Sequence, residues 1–364
     1  MSEARRRPAR AQRGLSIVEL MVGMVIALII SLAAAGSART FSASQRQGIA
    51  GGGTTANLTT TMATIKDDAA SAGLGFFGTR DSDNRSLFSC FKLDLSHDTT
   101  VHYDAGTFAP VQITAAGKND RVDLMFASSI DGGADVLLSG TAGPTQAMTQ
   151  SRLQVAPGQL VLLVPGTAAA SSQPCLVRSV TGVVAATDDT PQTLSFGNSG
   201  ANGIYNKVAF TNTPAYNETS KDRITLLGSL SWSRYRLDGT SLLYEQPLTG
   251  ASATLLRNVM AFRVQYGISA TETGNADLSW QDATGSWATV SGTQANQIRA
   301  LRVGIVVRNA QPQRPKPGQA CEASAAKPRD PLAPDVVVEP DVANWACYQF
   351  RSATVVVPLR NFVW

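Results

Sequence analysis

Apolar and polar positions divide the chain into an unbroken apolar run, a narrow helical stripe and a long series of short alternating segments. Residues 15–38 carry a single formal charge, Glu19, across 24 positions. A helix of that length, at about 1.5 Å rise per residue, reaches ~36 Å and can cross a bilayer. Residues 39–47 are polar and helix-compatible. Gly51-Gly52-Gly53 then predicts a bend or a melted turn, because each glycine costs ~1 kcal/mol relative to alanine inside a helix. Beyond it Leu58, Met62, Ile65, Ala69 and Ala72 recur at helical spacing opposite Lys66, Asp67 and Asp68, the pattern of a helix with one face on a soluble core. Gly73-Leu74-Gly75-Phe76-Phe77-Gly78 fits G-x-G-x-x-G literally, but it closes a helix where a dinucleotide site needs a strand before it and a helix after. It reads as a helix stop whose phenylalanines enter the core.

From about residue 87 the pattern is of short β-type runs: 122–127, 160–164, 176–184, 208–210 and 224–230. Residues 230–244 predict a hairpin turning at Asp238-Gly239, since Asp-Gly supplies the positive φ of a tight turn. Three more runs follow at 255–268, 298–308 and 352–361. Pro358 in the last favours an edge or bulge position, because it has no N–H to give a ladder. The proline-rich stretch 312–340 predicts an exposed loop. The middle, roughly 80–220, reads as loop-rich.

Charge orients this plan. The first 14 residues hold five arginines (Arg5, Arg6, Arg7, Arg10, Arg13) against Glu3, which keeps this end cytoplasmic and exports the rest. Glu19 is the anomaly: a carboxylate in a membrane span costs ~3 kcal/mol at the helix centre and usually has a partner. The missing partner is a cation.

Gly14-Leu15-Ser16-Ile17-Val18-Glu19-Leu20 after a short basic leader resembles a type IV prepilin. Leucine stands at the position where the family most often has phenylalanine. The resemblance implies cleavage after Gly14 by a membrane prepilin peptidase, N-methylation of Leu15, and helix bundling in a filament. There Glu19, the fifth mature residue, meets the N-terminal amine of a neighbouring subunit. A pair of unit charges ~4 Å apart at an effective dielectric near 20 is worth ~4 kcal/mol, enough to offset insertion and to set axial register. Further resemblance lies in Val264-Gln265-Tyr266-Gly267, Ile298-Arg299-Ala300-Leu301-Arg302-Val303 and Leu359-Arg360-Asn361, which are similar to the carboxy-terminal half of PilW-type minor pilins, relatives of the GspJ-type pseudopilins. The implied fold is α+β, a long amino-terminal helix packed on an antiparallel β-rich domain. Its parts are a cleaved leader over 1–14, a helix over 15–75 that spans the membrane over 15–38, and a periplasmic domain over 76–364.

Composition changes the functional picture in two ways. The whole chain is basic, but removing the leader leaves 26 basic and 26 acidic side chains, so nucleic-acid binding loses its electrostatic basis. Four cysteines in an exported chain read as disulfides with three pairings open. The favoured pair is Cys321 with Cys347, which closes the proline-rich loop for roughly 3–4 kcal/mol; Cys90 with Cys175 remains.

No catalytic, cofactor or metal constellation is apparent. His97 and His102 are five apart, which puts them on opposite faces of a strand, and their stretch reads as a polar strand or loop. Asp81-Ser82-Asp83-Asn84 lacks the glycine and distal glutamate of a calcium loop. Gly51-Gly52-Gly53-Thr54-Thr55 lacks a phosphate-loop lysine, and G-x-S-x-G is absent. Of the aromatic residues, Trp232, Trp280, Trp287 and Trp345 read mainly as core or strand-flanking, and Trp364 as a core plug or a subunit contact.

The resemblance implies a non-enzymatic pilus-assembly subunit without cofactors. Its partners would be other minor pilins, the major pilin, a PilY-type tip adhesin, the prepilin peptidase during processing and inner-membrane lipid before assembly. The alternatives are a minor pseudopilin of type II secretion, whose members are usually much shorter, and an exported pilin that binds ligand or DNA directly.

Overall fold

The computed structural model describes residues 16–76, 90–117, 119–128, 135–166, 173–210, 215–270, 277–290, 293–313, 315 and 318–359. Residues Met1–Gly53 and Thr54–Trp364 form two compact units.

One helix, Ile17–Ser71, belongs to both. It continues through Gly51, Gly52 and Gly53, where the sequence predicted a break. Glycine weakens a helix without removing a donor, and helical turns on either side have already met the nucleation cost. A Cβ added at Gly52 or Gly53 would meet nothing within 4 Å. Gly52→Ala and Gly53→Ala are therefore each expected to stabilise the helix by ~1 kcal/mol, read as roughly five-fold slower amide exchange over the flanking turns. Unchanged exchange would show that these turns open by a route that glycine does not control.

In the second unit, Leu58, Met62, Ile65, Ala69 and Ala72 are all buried, as their spacing predicted. Asp68, assigned from sequence to the polar side, lies at the margin of the stripe and accepts a 2.6 Å hydrogen bond from the Tyr235 hydroxyl. Burial and this carboxylate both push the Tyr235 phenol well above its ordinary pKa. The helix stops where expected. Gly73 and Gly75 have φ of 83° and 84°, Gly73 N–H donates to the Met125 carbonyl at 2.9 Å, and Ala127 N–H donates to Leu74 O at 2.9 Å. A Cβ on Gly75 would lie 2.6 Å from that of Ala127, so the glycine permits both the turn and the close approach to the strand. Phe76 is buried; Phe77 lies outside the described residues.

Two antiparallel sheets contribute to the core around this helix. One has strand order Ala251–Arg257, Ser241–Gln246, Leu230–Asp238, Arg121–Ala127, Val111–Thr114; the other runs Leu278–Gln281, Val259–Ser269, Ile298–Arg308, Phe350–Pro358. The first provides Val122, Leu124 and Tyr235, the second Phe262, Val264 and Ile305.

Residues 92–228 hold more strands than the runs expected in this loop-rich stretch. Six strands form a sheet in the order Thr100–Thr107, Lys92–His97, Cys175–Ser179, Leu160–Val164, Arg223–Gly228, Asp135–Leu137. Its Lys92–His97 and Cys175–Ser179 strands pair in parallel. Smaller antiparallel sheets join Gly182–Val184, Gln192–Ser195 and Gln146–Thr149, and Tyr216–Asn217 with Thr141–Ala142. Leu163, Leu176, Leu194, Phe196 and Ile224 share a core here. Many of these strands are too short to show an alternation.

Several boundaries differ from the sequence reading. The hairpin turns one residue later, at Gly239-Thr240, with Asp238 paired to Ser241. Gly239 has φ of 59° and Thr240 is not among the positive-φ residues, so the first turn residue alone takes the left-handed conformation, as a glycine-first type II′ loop requires. Residues 255–268 divide into two strands at Asn258, φ 59°. Residues 176–184 likewise fall in two strands, and 208–210 form none although Phe210 is buried. His97 and His102 sit on paired strands, with His97 opposite Thr100.

The proline-rich segment is only partly an exposed loop. Asp330, Leu332 and Val338 are buried, and a Cβ on Gly304 would come within 2.5 Å of Pro331. The missing side chain at Gly304 lets the segment lie on the sheet. Arg263 secures it: the guanidinium pairs with Asp120 at 3.0 Å, Asp282 at 3.4 Å and Asp330. Burial works against the Arg263 charge, yet the three carboxylates together raise its pKa. Burial also holds the Asp120 carboxyl above its ordinary value, outweighing Arg263 and the Val264 N–H that it accepts.

Candidate functional site

Ile17–Ala35 supplies 19 residues of a helix long and apolar enough to cross a membrane. All of these side chains are exposed in the single chain. The segment also manages its polar groups. Ser31 Oγ donates to Ala27 O at 2.7 Å and Ser37 Oγ to Ala33 O at 2.9 Å, which satisfies both hydroxyls inside the helix and makes them tolerable in lipid.

Glu19 is the charged exception within this span. It lies in the first helical turn, where Leu20 N–H donates to Ser16 O at 3.1 Å. The positive end of the helix dipole favours a carboxylate there. An exposed acid on an apolar helix can accept a cation or N–H donor supplied by another molecule. The predicted processing residues, Gly14 and Leu15, lie outside the described residues, as do Asp81-Ser82-Asp83-Asn84 and Trp364.

The four cysteines belong to the second unit and form two bridges, Cys90–Cys175 and Cys321–Cys347, with sequence separations of 85 and 26. Cys175 begins the strand that runs parallel to Lys92–His97. That bridge ties the start of the first middle strand to the sheet's interior. The other closes the segment held by Arg263. Neither lies in a redox or metal motif.

The histidines do not converge. His97 packs edge-on against Tyr205 and His102 against Trp232, with ring centroids 5.1 and 5.5 Å apart. Burial pushes both imidazoles below the ordinary histidine value. No group of three His, Cys, Asp or Glu side chains suited to a metal occurs among the described residues. Trp232 is buried and Trp280 stacks under the Arg302 guanidinium, 4.7 Å from the ring centroid.

Sequence reasoning missed the Asp68–Tyr235 contact and the Arg263 cluster. Asp68 gave a local signal, since it stands three residues after Ile65 and next to Ala69, on the border of the stripe. The Arg263 cluster gave none. Asp120, Asp282 and Asp330 are distant in sequence and meet only after the sheet forms.

Residues 9–35 match the prokaryotic N-terminal methylation motif. Residues 231–361 match the family described as Type IV Pilus-assembly protein W, a span that runs from the central hairpin through the carboxy-terminal sheet. No curated protein matches the chain in sequence. Among solved structures, a type IV-like pilin from Thermus thermophilus matches with 8% identity and a TM-score of 0.34, over 85% of this chain and 98% of that one. The methylation motif at the amino-terminal end and the PilW match on the carboxy-terminal sheet together support a PilW-type minor pilin of the type IV family.

Proposed function

We propose that this pilin acts in pilus assembly, in a priming complex with other minor pilins at or near the filament tip, where it draws in major pilin and carries a PilY-type adhesin. The observation behind this reading is Glu19, a carboxylate in the first turn of an exposed apolar helix of membrane-spanning length. Such a charge serves a subunit whose helix passes from lipid into a bundle of like helices, because the bundle supplies the missing amine. Before assembly the chain resides in the inner membrane with its β-rich domain in the periplasm, and its role is structural, not enzymatic. A carboxylate that needs a neighbour above it favours a place just below the extreme tip.

Processing is tested by the amino terminus and intact mass of the membrane-extracted protein, with and without a prepilin peptidase. A chain that begins at Leu15 with one added methyl group, and only when the peptidase is present, is the expected result. A chain that still begins near Met1, or is cut beyond the apolar segment, would overturn the filament-subunit reading.

A further inference from the structure

The last described strand, Phe350–Pro358, is the outer strand of its sheet. Asn309 N–H donates to Gln349 O and Leu359 N–H donates to Arg299 O, and the register between these bonds is continuous. Alternation of an antiparallel ladder then turns the amides of residues 351, 353, 355 and 357 toward Ile298–Arg308 and those of Ser352, Thr354 and Val356 away from the sheet. Val356 is 49% exposed although apolar. Pro358 falls at an outward position and has no N–H to offer, so the free edge ends there. It is a bounded three-amide docking strip.

At the other end of this strip lies a pocket of about 260 Å³. Its walls are the start of the strand, with Phe350, Arg351 and Ser352, and the proline-rich segment, with Ser324 and Arg329; Val306 lies behind. Arg329 donates through Nη1 to Pro334 O at 2.9 Å, which fixes the guanidinium while its other N–H groups remain available. Arg329 brings a guanidinium to this space and no carboxylate lines it, among the described residues; Arg351 borders it with its backbone, since alternation puts its side chain on the face opposite Phe350 and Ser352. The nearby Lys327 is already paired with Glu339 at 2.6 Å.

We propose that the strip and pocket form one binding site for an extended peptide segment of a partner protein, which adds as a further strand along Ser352, Thr354 and Val356 and places a carboxylate against Arg329. Charge selects the occupant: arginine forks match a carboxylate, while the outward amides supply contacts that do not depend on side chains. The site rests on the sheet edge and the pocket alone, and stands apart from the role assigned to Glu19.

The test uses the full-length chain in detergent and a labelled, N-acetylated octapeptide of alternating threonine and valine that ends in two glutamates. Fluorescence anisotropy is expected to show saturable binding that falls at least ten-fold for Arg329→Gln, and equally for the peptide with glutamines in place of its glutamates. Arg329 is exposed, so circular dichroism of the variant should match the parent. No saturable binding, or binding that Arg329→Gln leaves unchanged, would overturn the proposal. So would glutarate alone binding as tightly as the peptide, since the pocket would then be an anion site without strand pairing.

Discussion

Glu19→Ala is expected to give a protein that is anchored and processed normally but is reduced at least ten-fold in sheared filaments, with fewer surface pili. The substitution removes the one formal charge from the Ile17–Ala35 span, so insertion into lipid becomes easier, not harder. Loss of pili then cannot come from failed anchoring. It must come from the step in which the helix leaves lipid and meets other helices, where the neutral variant gives nothing to an incoming amine and no longer distinguishes one axial register from the next. Glu19→Asp, which keeps the charge on a shorter arm, should recover part of the loss. Quantitative blots of membrane and sheared fractions, alongside pilus counts, provide the measurement. Wild-type incorporation of Glu19→Ala would mean that register is set elsewhere, and would remove the argument for a position below the tip.

The second large effect concerns stability. Arg263→Met is expected to destabilise the second unit by ~3 kcal/mol at pH 7, because removing one partner of a buried ion pair leaves the other charge uncompensated. The side chains of Asp120 and Asp330 are only 4% and 3% exposed, whereas Asp282 at 46% can turn to water. The sign of the pH dependence follows. Without the guanidinium, the folded-state pKa of Asp120, already raised by burial, rises further above its unfolded value. In the window between the two values the folded state binds more protons than the unfolded state, so stability increases as pH falls. The deficit relative to the parent should therefore narrow between pH 7 and pH 5. Urea unfolding of the detergent-solubilised chain, followed by tryptophan fluorescence, would show it. A deficit below 1 kcal/mol, or one equal at both pH values, would mean that water reaches these carboxylates.

What the sequence revealed follows from the range of each interaction. The apolar span, Glu19 and the stripe from Leu58 to Ala72 are local periodic signals, and the structure puts that stripe in the core. The strand at 160–164 stood out because it is a continuous apolar run, and 298–308 because apolar residues dominate it around Arg299 and Arg302. The hairpin was visible but its turn was displaced by one residue, since Asp238-Gly239 and Gly239-Thr240 both offer the glycine and only strand pairing decides between them. The break at Asn258 was hidden because the residues on both sides look like strand, and a positive φ at asparagine leaves little composition signal. Other middle strands, such as Asp135–Leu137 and Gln146–Thr149, escaped detection because they are short, and the parallel pairing because it depends on the distant Cys175. At the candidate site the charge was legible because Glu19 stands alone in an apolar run.

Leu58, Ile65 and Ala69 make the end of the membrane-anchored helix a core element of the β-rich domain instead of a tether attached to its surface. The mechanical consequence is specific. Tension carried along this helix cannot peel it away one contact at a time; it must shear the whole stripe, and the Asp68–Tyr235 bond with it, against the sheets. Yielding is then governed by the rate of a cooperative unfolding event. A pilus built on such a joint would hold under brief pulls and fail only under sustained load.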